Sequence, residues 1–185
     1  MKVAFLDRDG VINREINYLH KIKDFNYTSH CIEGLKKLQG LGYELIIVTN
    51  QAGLAKGIFS EKDFDILSKW LLQDLANNGV KVRDYIFCPH HPEGIVEKYS
   101  INCNCRKPKP GMLVSAKVKY NIDMGNSILI GDKVTDIAAG KSANVGHLYL
   151  VDSGHDLNAT DHLIAPVHAN LFEVSMFLEN QSKQS

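Results

Sequence analysis

Charge of one sign is what this chain most conspicuously lacks. Its 21 Lys and Arg residues balance 21 Asp and Glu, so the formal net charge is zero. That balance argues against a broad nucleic-acid footprint and against a polybasic membrane contact. Apolar runs are short. None is long enough to span a bilayer, and the N-terminal one, Val3 to Leu6, is too short for the core of an export signal and ends in Asp7. Repeats and low-complexity segments are absent apart from the polar tail Asn180 to Ser185, which is expected to fray. Cysteine is sparse, at four residues in 185. Without an export signal these do not read as a disulfide framework, and the expectation is a cytosolic, monomeric protein.

What is present suits one globular domain. A length of 185 residues with 44% hydrophobic and 23% charged residues buries a full sheet core. Lys2 to Leu6 reads as a buried strand, followed by a long polar loop over residues 9–30. Ile32, Leu35, Leu38 and Leu41 form a helical stripe that stops at Gly42, and Tyr43 to Val48 is a second apolar run. Ser60-Glu61-Lys62-Asp63 has the form of a helix cap, with Phe64, Leu67, Leu71 and Leu75 as the buried face behind it and Asn77-Asn78-Gly79 as the stop. Val82 to Phe87 is a third strand. Pro110 opens a helix running to about Tyr120, and Ser127 to Ile130 is a fourth strand. A short Ala-rich helix, a strand from His147 to Val151 and a helix from Asn170 to Leu178 complete the order. Strands alternating with helices predict a Rossmann-like α/β fold, a parallel sheet in a three-layer α/β/α sandwich, with no domain boundary in 1–185.

In such a sheet ligands gather at the carboxyl ends of the strands. The first end offers Asp7 and Asp9, two carboxylates whose mutual repulsion makes a cation their natural third partner. The second offers Thr49 and Asn50. Arg106, Lys107 and Lys109 follow the third, and Asp132, Lys133 and Asp136 the fourth. Taken singly these are ordinary turn residues. Together they are a phosphoryl-transfer set: carboxylates for Mg²⁺, a hydroxyl and a lysine for phosphate oxygens, and an Asp nucleophile.

The segment 88–105 is a second centre. Cys88-Pro89-His90 and Cys103-Asn104-Cys105, with 12 residues between them, offer three thiolates and an imidazole, the donor set of a closed tetrahedral Zn²⁺ site. His91 competes with His90 as the nitrogen ligand. Cys31 stands apart and reads as a small hydrophobe at the start of a helix.

Asp7-x-Asp9-Gly10, Thr49-Asn50, Lys107 and Gly131-Asp132-x-x-x-Asp136 resemble the four ordered motifs of the haloacid dehalogenase superfamily of phosphatases. Phe5 to Asn13, Val48 to Gly53 and Cys105-Arg106-Lys107-Pro108 are similar to its histidinol-phosphatase-like branch, and most nearly to the members acting on a heptose bisphosphate. The resemblance implies Asp7 as nucleophile, Asp9 as acid and base, and Thr49 and Lys107 as ligands of the transferring phosphate. It implies Mg²⁺ on Asp7, Asp132 and the Asp9 backbone carbonyl, with Asp136 orienting Lys107. It further implies substrate contacts from Glu15, Tyr18, Asn50, Gln51, Arg106 and Lys133, and Zn²⁺ on Cys88, His90, Cys103 and Cys105. There is no room for a separate cap domain, which suits a projecting substrate such as a sugar bisphosphate. The implied reaction removes the 7-phosphate of a heptose 1,7-bisphosphate on the way to a surface polysaccharide. Histidinol phosphate is the nearest alternative substrate and a polynucleotide 3′-phosphate a distant one. A non-catalytic, zinc-stabilised phosphate-binding module is the alternative of another class.

Overall fold

Val3, Ala4, Phe5 and Leu6 are all fully buried, as a strand must be when it has neighbours on both edges and helices on both faces. They form β1 (Val3–Leu6) of a computed structural model that describes residues 1–154 and 164–184. Five further strands are described: β2 (Glu44–Asn50), β3 (Val82–Cys88), β4 (Ile128–Gly131), β5 (His147–Val151) and β6 (Val167–His168). All pairings are parallel and the order is β3-β2-β1-β4-β5-β6. The helices are α1 (Cys31–Gly40), α2 (Ala52–Ala55), α3 (Glu61–Asn77), α4 (Gly111–Tyr120), α5 (Val134–Ser142) and α6 (Leu171–Ser182).

Strand alternation sorts the core into two faces. Ala4 and Leu6 join Leu45, Ile47, Ile128 and Ile130 against Leu35 and Leu38 of α1, Leu67, Leu71 and Leu75 of α3, and Leu171 and Val174 of α6. Val3 and Phe5 join Ile46, Val48 and Leu129 against Met112, Leu113 and Ala116 of α4 and Ile137 and Ala139 of α5. At roughly 1.5–3 kcal/mol for each large aliphatic side chain fully buried, these two layers dominate the fold's stability. The three-layer parallel architecture expected from the element order is the one observed.

Local chemistry sets the ends. Ser60 Oγ accepts the Asp63 N–H at 3.2 Å and Asp63 Oδ2 accepts the Ser60 N–H at 2.9 Å, so the capping motif read from the sequence is a reciprocal one. Pro110 stands one residue before α4, not as its first residue. The Asn180–Ser185 tail differs from expectation: α6 continues through Ser182, steadied by the Glu179–Lys37 ion pair at 2.9 Å to α1. Cys31 is the first residue of α1 and is 1% exposed. The one-turn α2 and the two-residue β6 were not foreseen, because neither is long enough to show a period. The polar loop after β1 is pinned by the buried side chains Val11, Ile12, Leu19 and Phe25. No helix of the described residues is long and apolar enough to cross a membrane.

Candidate active site

The chain runs outward from β1 to β2 and β3, then returns to β4 on the other side of β1. This reversal opens a crevice beyond the carboxyl ends of β1 and β4. Asp7 stands there as the first residue after β1, its N–H donating to the Ile130 carbonyl at 3.0 Å. It is 7% exposed.

Lys107 reaches the same point from the segment before α4. Its Nζ lies 3.1 Å from Asp7 Oδ1, pairs with Asp136 Oδ1, and donates to the Val48 carbonyl at 2.8 Å. Burial works against the ammonium charge, but Asp136 and Asp7 outweigh it and raise the Lys107 pKa. Burial pushes Asp7 up to about 6; Lys107 restrains the rise, and Asp136 and Asp9 add to it. Asp136 also accepts the Lys133 N–H at 3.0 Å, so it orients Lys107 from the start of α5.

Asp9 is held by three side chains. Arg8 Nη2 donates to Oδ1 and Oδ2 at 2.8 and 2.9 Å, Asn13 Nδ2 to Oδ1 at 3.0 Å, and Gln51 Nε2 to Oδ2 at 3.0 Å. Burial alone would raise its pKa, but the Arg8 charge with the Asn13, Arg8 and Gln51 hydrogen bonds holds the carboxyl below its ordinary value. The resting geometry therefore favours the ionised form. Arg8 is itself 1% exposed and also donates to the Leu19 carbonyl at 3.2 Å.

Carboxylate oxygens of Asp7, Asp132 and Asp136 lie within 4.8 Å of one another. Burial first, then the Asp7 charge, push Asp132 up to about 8, with Lys133 opposing. Hard oxygen donors crowded until one resists ionising fit a small divalent cation. Gly10 makes the close approach possible: a Cβ there would sit 2.3 Å from Asp132 Oδ2, and its φ of +83° is one that favours glycine.

A cavity of about 340 Å³ opens above these groups, lined by Asp7, Asp9, Thr49 and Lys107 and by all six residues the resemblance suggested for substrate: Glu15, Tyr18, Asn50, Gln51, Arg106 and Lys133. Two of the six, Asn50 and Gln51, use their side chains to hold catalytic-site residues. Asn50 clamps Lys107 in both directions, its Nδ2 donating to the Lys107 carbonyl at 3.0 Å and its Oδ1 accepting the Lys107 N–H at 3.1 Å. Gln51 donates to Asp9 and, at 2.9 Å, to Thr49 Oγ1. Lys133 pairs with Glu15 at 2.9 Å across the cavity, and Tyr18, at φ 59°, accepts a hydrogen bond from Lys56 Nζ at 2.9 Å. Sequence reasoning gave no role to Arg8, Asn13 or Lys56, and it weighed His91 only as a metal ligand, whereas it lines the cavity. The signal for Arg8 was its place between the two acids of the first strand end; nothing in the sequence singled out Lys56.

Some way along the chain, Cys88, His90, Cys103 and Cys105 bring their donor atoms together. The Sγ–Sγ separations are 2.9, 3.3 and 3.5 Å, and His90 Nδ1 lies 3.3 Å from Cys105 Sγ and 3.7 Å from Cys88 Sγ. Three sulfurs and a nitrogen at such spacing fit a closed tetrahedral metal site. His91 turns away from that cluster and toward the cavity. The far end of the loop is tied to α2, with Ile95 N and Val96 N both donating to the Ala55 carbonyl at 2.8 and 2.9 Å.

A parallel sheet with an Asp pair after β1, a hydroxyl at the carboxyl end of β2, at Thr49, a buried lysine before α4 and an acid pair after β4 is the framework of a haloacid dehalogenase-type phosphatase. The family model for HAD-hydrolase-like proteins matches residues 104–172. The D-glycero-alpha-D-manno-heptose-1,7-bisphosphate 7-phosphatase of Photorhabdus laumondii is 53% identical over 180 residues, covering 97% of each chain. The D-glycero-beta-D-manno-heptose-1,7-bisphosphate 7-phosphatase of Yersinia pestis is 43% identical over 84% of this chain and 82% of that protein. Among solved structures, the D,D-heptose 1,7-bisphosphate phosphatase of B. bronchiseptica, complexed with magnesium and phosphate, superposes with a TM-score of 0.80 at 25% identity, covering 98% of this chain and 99% of that one. The chain belongs to the HAD-like hydrolases, as one of their phosphatases.

Proposed function

We propose that this enzyme hydrolyses the 7-phosphate of D-glycero-D-manno-heptose 1,7-bisphosphate, with the α anomer preferred, in the route to a nucleotide-activated heptose. The observation that carries the reading is the Asp7 carboxylate held 3.1 Å from Lys107 on the floor of an open polar cavity. The anomer follows the relative matched over nearly the whole chain, which is named for the α form.

In the first half-reaction an Asp7 oxygen attacks phosphorus, forming an Asp7 O–P bond while the bond from phosphorus to the sugar oxygen breaks. Asp9 gives its proton to that oxygen. Because Arg8, Asn13 and Gln51 keep the resting Asp9 ionised, its proton is taken up when the phosphate dianion enters beside it. In the second half-reaction Asp9, again a base, removes a proton from water as the water oxygen attacks phosphorus; phosphate leaves and Asp7 is restored. Lys107 and Thr49 hold the equatorial oxygens. Asp7, Asp132 and the Asp9 backbone carbonyl would hold the magnesium ion, which would supply positive charge against the repulsion between Asp7 and the phosphate. Cys88, His90, Cys103 and Cys105 would hold zinc, which would fix the loop that delivers Arg106 and Lys107. The reading carries with it a cytosolic monomer, in keeping with thiols that a reducing compartment preserves.

The test is Mg²⁺-dependent phosphate release, with kcat/KM measured for both anomers of the bisphosphate beside histidinol phosphate. The expected order is α, then β, then histidinol phosphate. A preference for histidinol phosphate overturns the substrate assignment.

A further inference from the structure

The positive charges around the cavity are not equivalent. Lys107 is paired with Asp7 and Asp136, Arg8 with Asp9, and Lys133 with Glu15. Lys56 and Arg106 line the same cavity, yet among the described residues neither has a carboxylate partner. Their polar contacts are to neutral groups: Lys56 Nζ donates to the Tyr18 hydroxyl at 2.9 Å and Arg106 Nη1 to the His90 carbonyl at 3.3 Å. His91 shares this wall. Its Nδ1 accepts the Glu93 N–H at 3.1 Å, which leaves the proton of the neutral ring on Nε2 as a donor.

We propose that Lys56 and His91, together with Arg106, bind the phosphate that is not transferred, and so determine the preference for a bisphosphate over a monophosphate. This rests on the substrate reading above. The transferring phosphate uses Lys107. The remote one brings up to two negative charges into a partly desolvated cavity and needs cations that are not already compensated. Binding it at Lys133 would break the Glu15 pair, whereas Lys56 and Arg106 give up only neutral partners. Lys56 is also held in place before substrate arrives, by the Tyr18 hydroxyl and by the Tyr18 ring, whose centroid is 5.5 Å from Nζ.

The experiment compares kcat/KM for the heptose 1,7-bisphosphate with kcat/KM for p-nitrophenyl phosphate, which has no second phosphate. In Lys56→Met the ratio falls about 10–100-fold, mainly through KM for the bisphosphate, and in His91→Gln about 10-fold. Lys56→Arg keeps most of the ratio. Tyr18→Phe, which removes the hydroxyl but leaves the ammonium, loses less than Lys56→Met. An unchanged ratio in Lys56→Met and His91→Gln overturns the proposal. So does a Tyr18→Phe loss equal to that of Lys56→Met, since Lys56 would then act only by holding Tyr18. If Lys56→Met does not fold, the His91→Gln ratio decides. A wild type that hydrolyses the aryl phosphate but not the bisphosphate overturns the substrate reading itself, a result distinct from either of these.

Discussion

Asn50 and Lys107 hold each other by two hydrogen bonds, amide to backbone in both directions, at 3.0 and 3.1 Å. The end of β2 thereby fixes the peptide that carries the lysine of the phosphate site. Asn50→Ala removes both bonds while leaving every charge in place. Lys107 then loses its alignment with Asp7, and kcat is expected to fall about 10–100-fold with KM little changed. Steady-state kinetics on the bisphosphate read this directly. A variant that instead raises KM at constant kcat would make Asn50 a substrate contact.

The proposed mechanism assigns the covalent step to Asp7. Asp7→Asn is expected to abolish phosphate release from the bisphosphate and from an aryl phosphate alike. Beryllium fluoride with Mg²⁺ is expected to form an adduct on the wild-type Asp7 side chain and none in the variant, as seen by fluorine NMR. An adduct that survives Asp7→Asn places the nucleophile elsewhere.

Removal of the proposed zinc is expected to act on the same lysine from its other side. Cys103 and Cys105 immediately precede Arg106 and Lys107, while the far end of the loop is pinned to Ala55. Loss of the metal leaves the polar loop without a core to order it. A zinc-free, folded Cys103→Ala protein is expected to lose about 10–100-fold in kcat. Full activity in that protein would show the loop to be positioned without metal.

The fold was largely legible because the strand pattern is regular: β1, β2, β3, β4 and β5 were each recognisable as apolar runs closed by polar turns. The residues at those strand ends could be grouped before their geometry was known, since a parallel sheet places its carboxyl ends together. What sequence alone did not reveal is which polar groups serve one another. Asn50 and Gln51 resemble substrate ligands until their partners, the Lys107 backbone and Asp9, are seen. Lys56 lies outside every motif and His91 beside the Cys/His one, and the packing of α2 against the Cys/His loop brings both to the cavity. A calculation from periodicity also ends α6 too early, because Lys37 holds its last turns from a distant element.

Burial raises Asp7 to about 6 and Asp132 to about 8 in the metal-free protein. Both folded-state values lie above the ordinary carboxyl value, so across pH 4 to 8 these two groups hold more protons in the folded state than in the unfolded one. Their contribution to the stability of the metal-free protein therefore falls as pH rises through that window. Mg²⁺ reverses the trend, because it binds the ionised carboxylates and must displace protons at lower pH. Its apparent affinity is expected to fall up to about tenfold per pH unit below 8 for each proton displaced. Thermal melts with and without Mg²⁺ at pH 5.5 and pH 8 check this: the gain in Tm is larger at pH 8. A gain independent of pH would mean that these carboxylates are already ionised.

Gly10 leaves no room for one added carbon beside the metal-binding carboxylates. A Cβ at this residue would lie 2.3 Å from Asp132 Oδ2 and 2.9 Å from Asp132 Cβ, far inside contact distance, on a backbone at φ +83°. Gly10→Ala must therefore displace Asp132 and also strain the turn after β1. The strain is expected to cost about 1–3 kcal/mol, or roughly 2–9 °C in Tm for a chain of this size. The displacement is expected to weaken Mg²⁺ binding to the level of Asp132→Asn, a separate effect measured by calorimetric titration. Lowered Tm with wild-type Mg²⁺ affinity would show that Asp132 moves aside without losing the ion, and would remove Asp132 from the set of ligands.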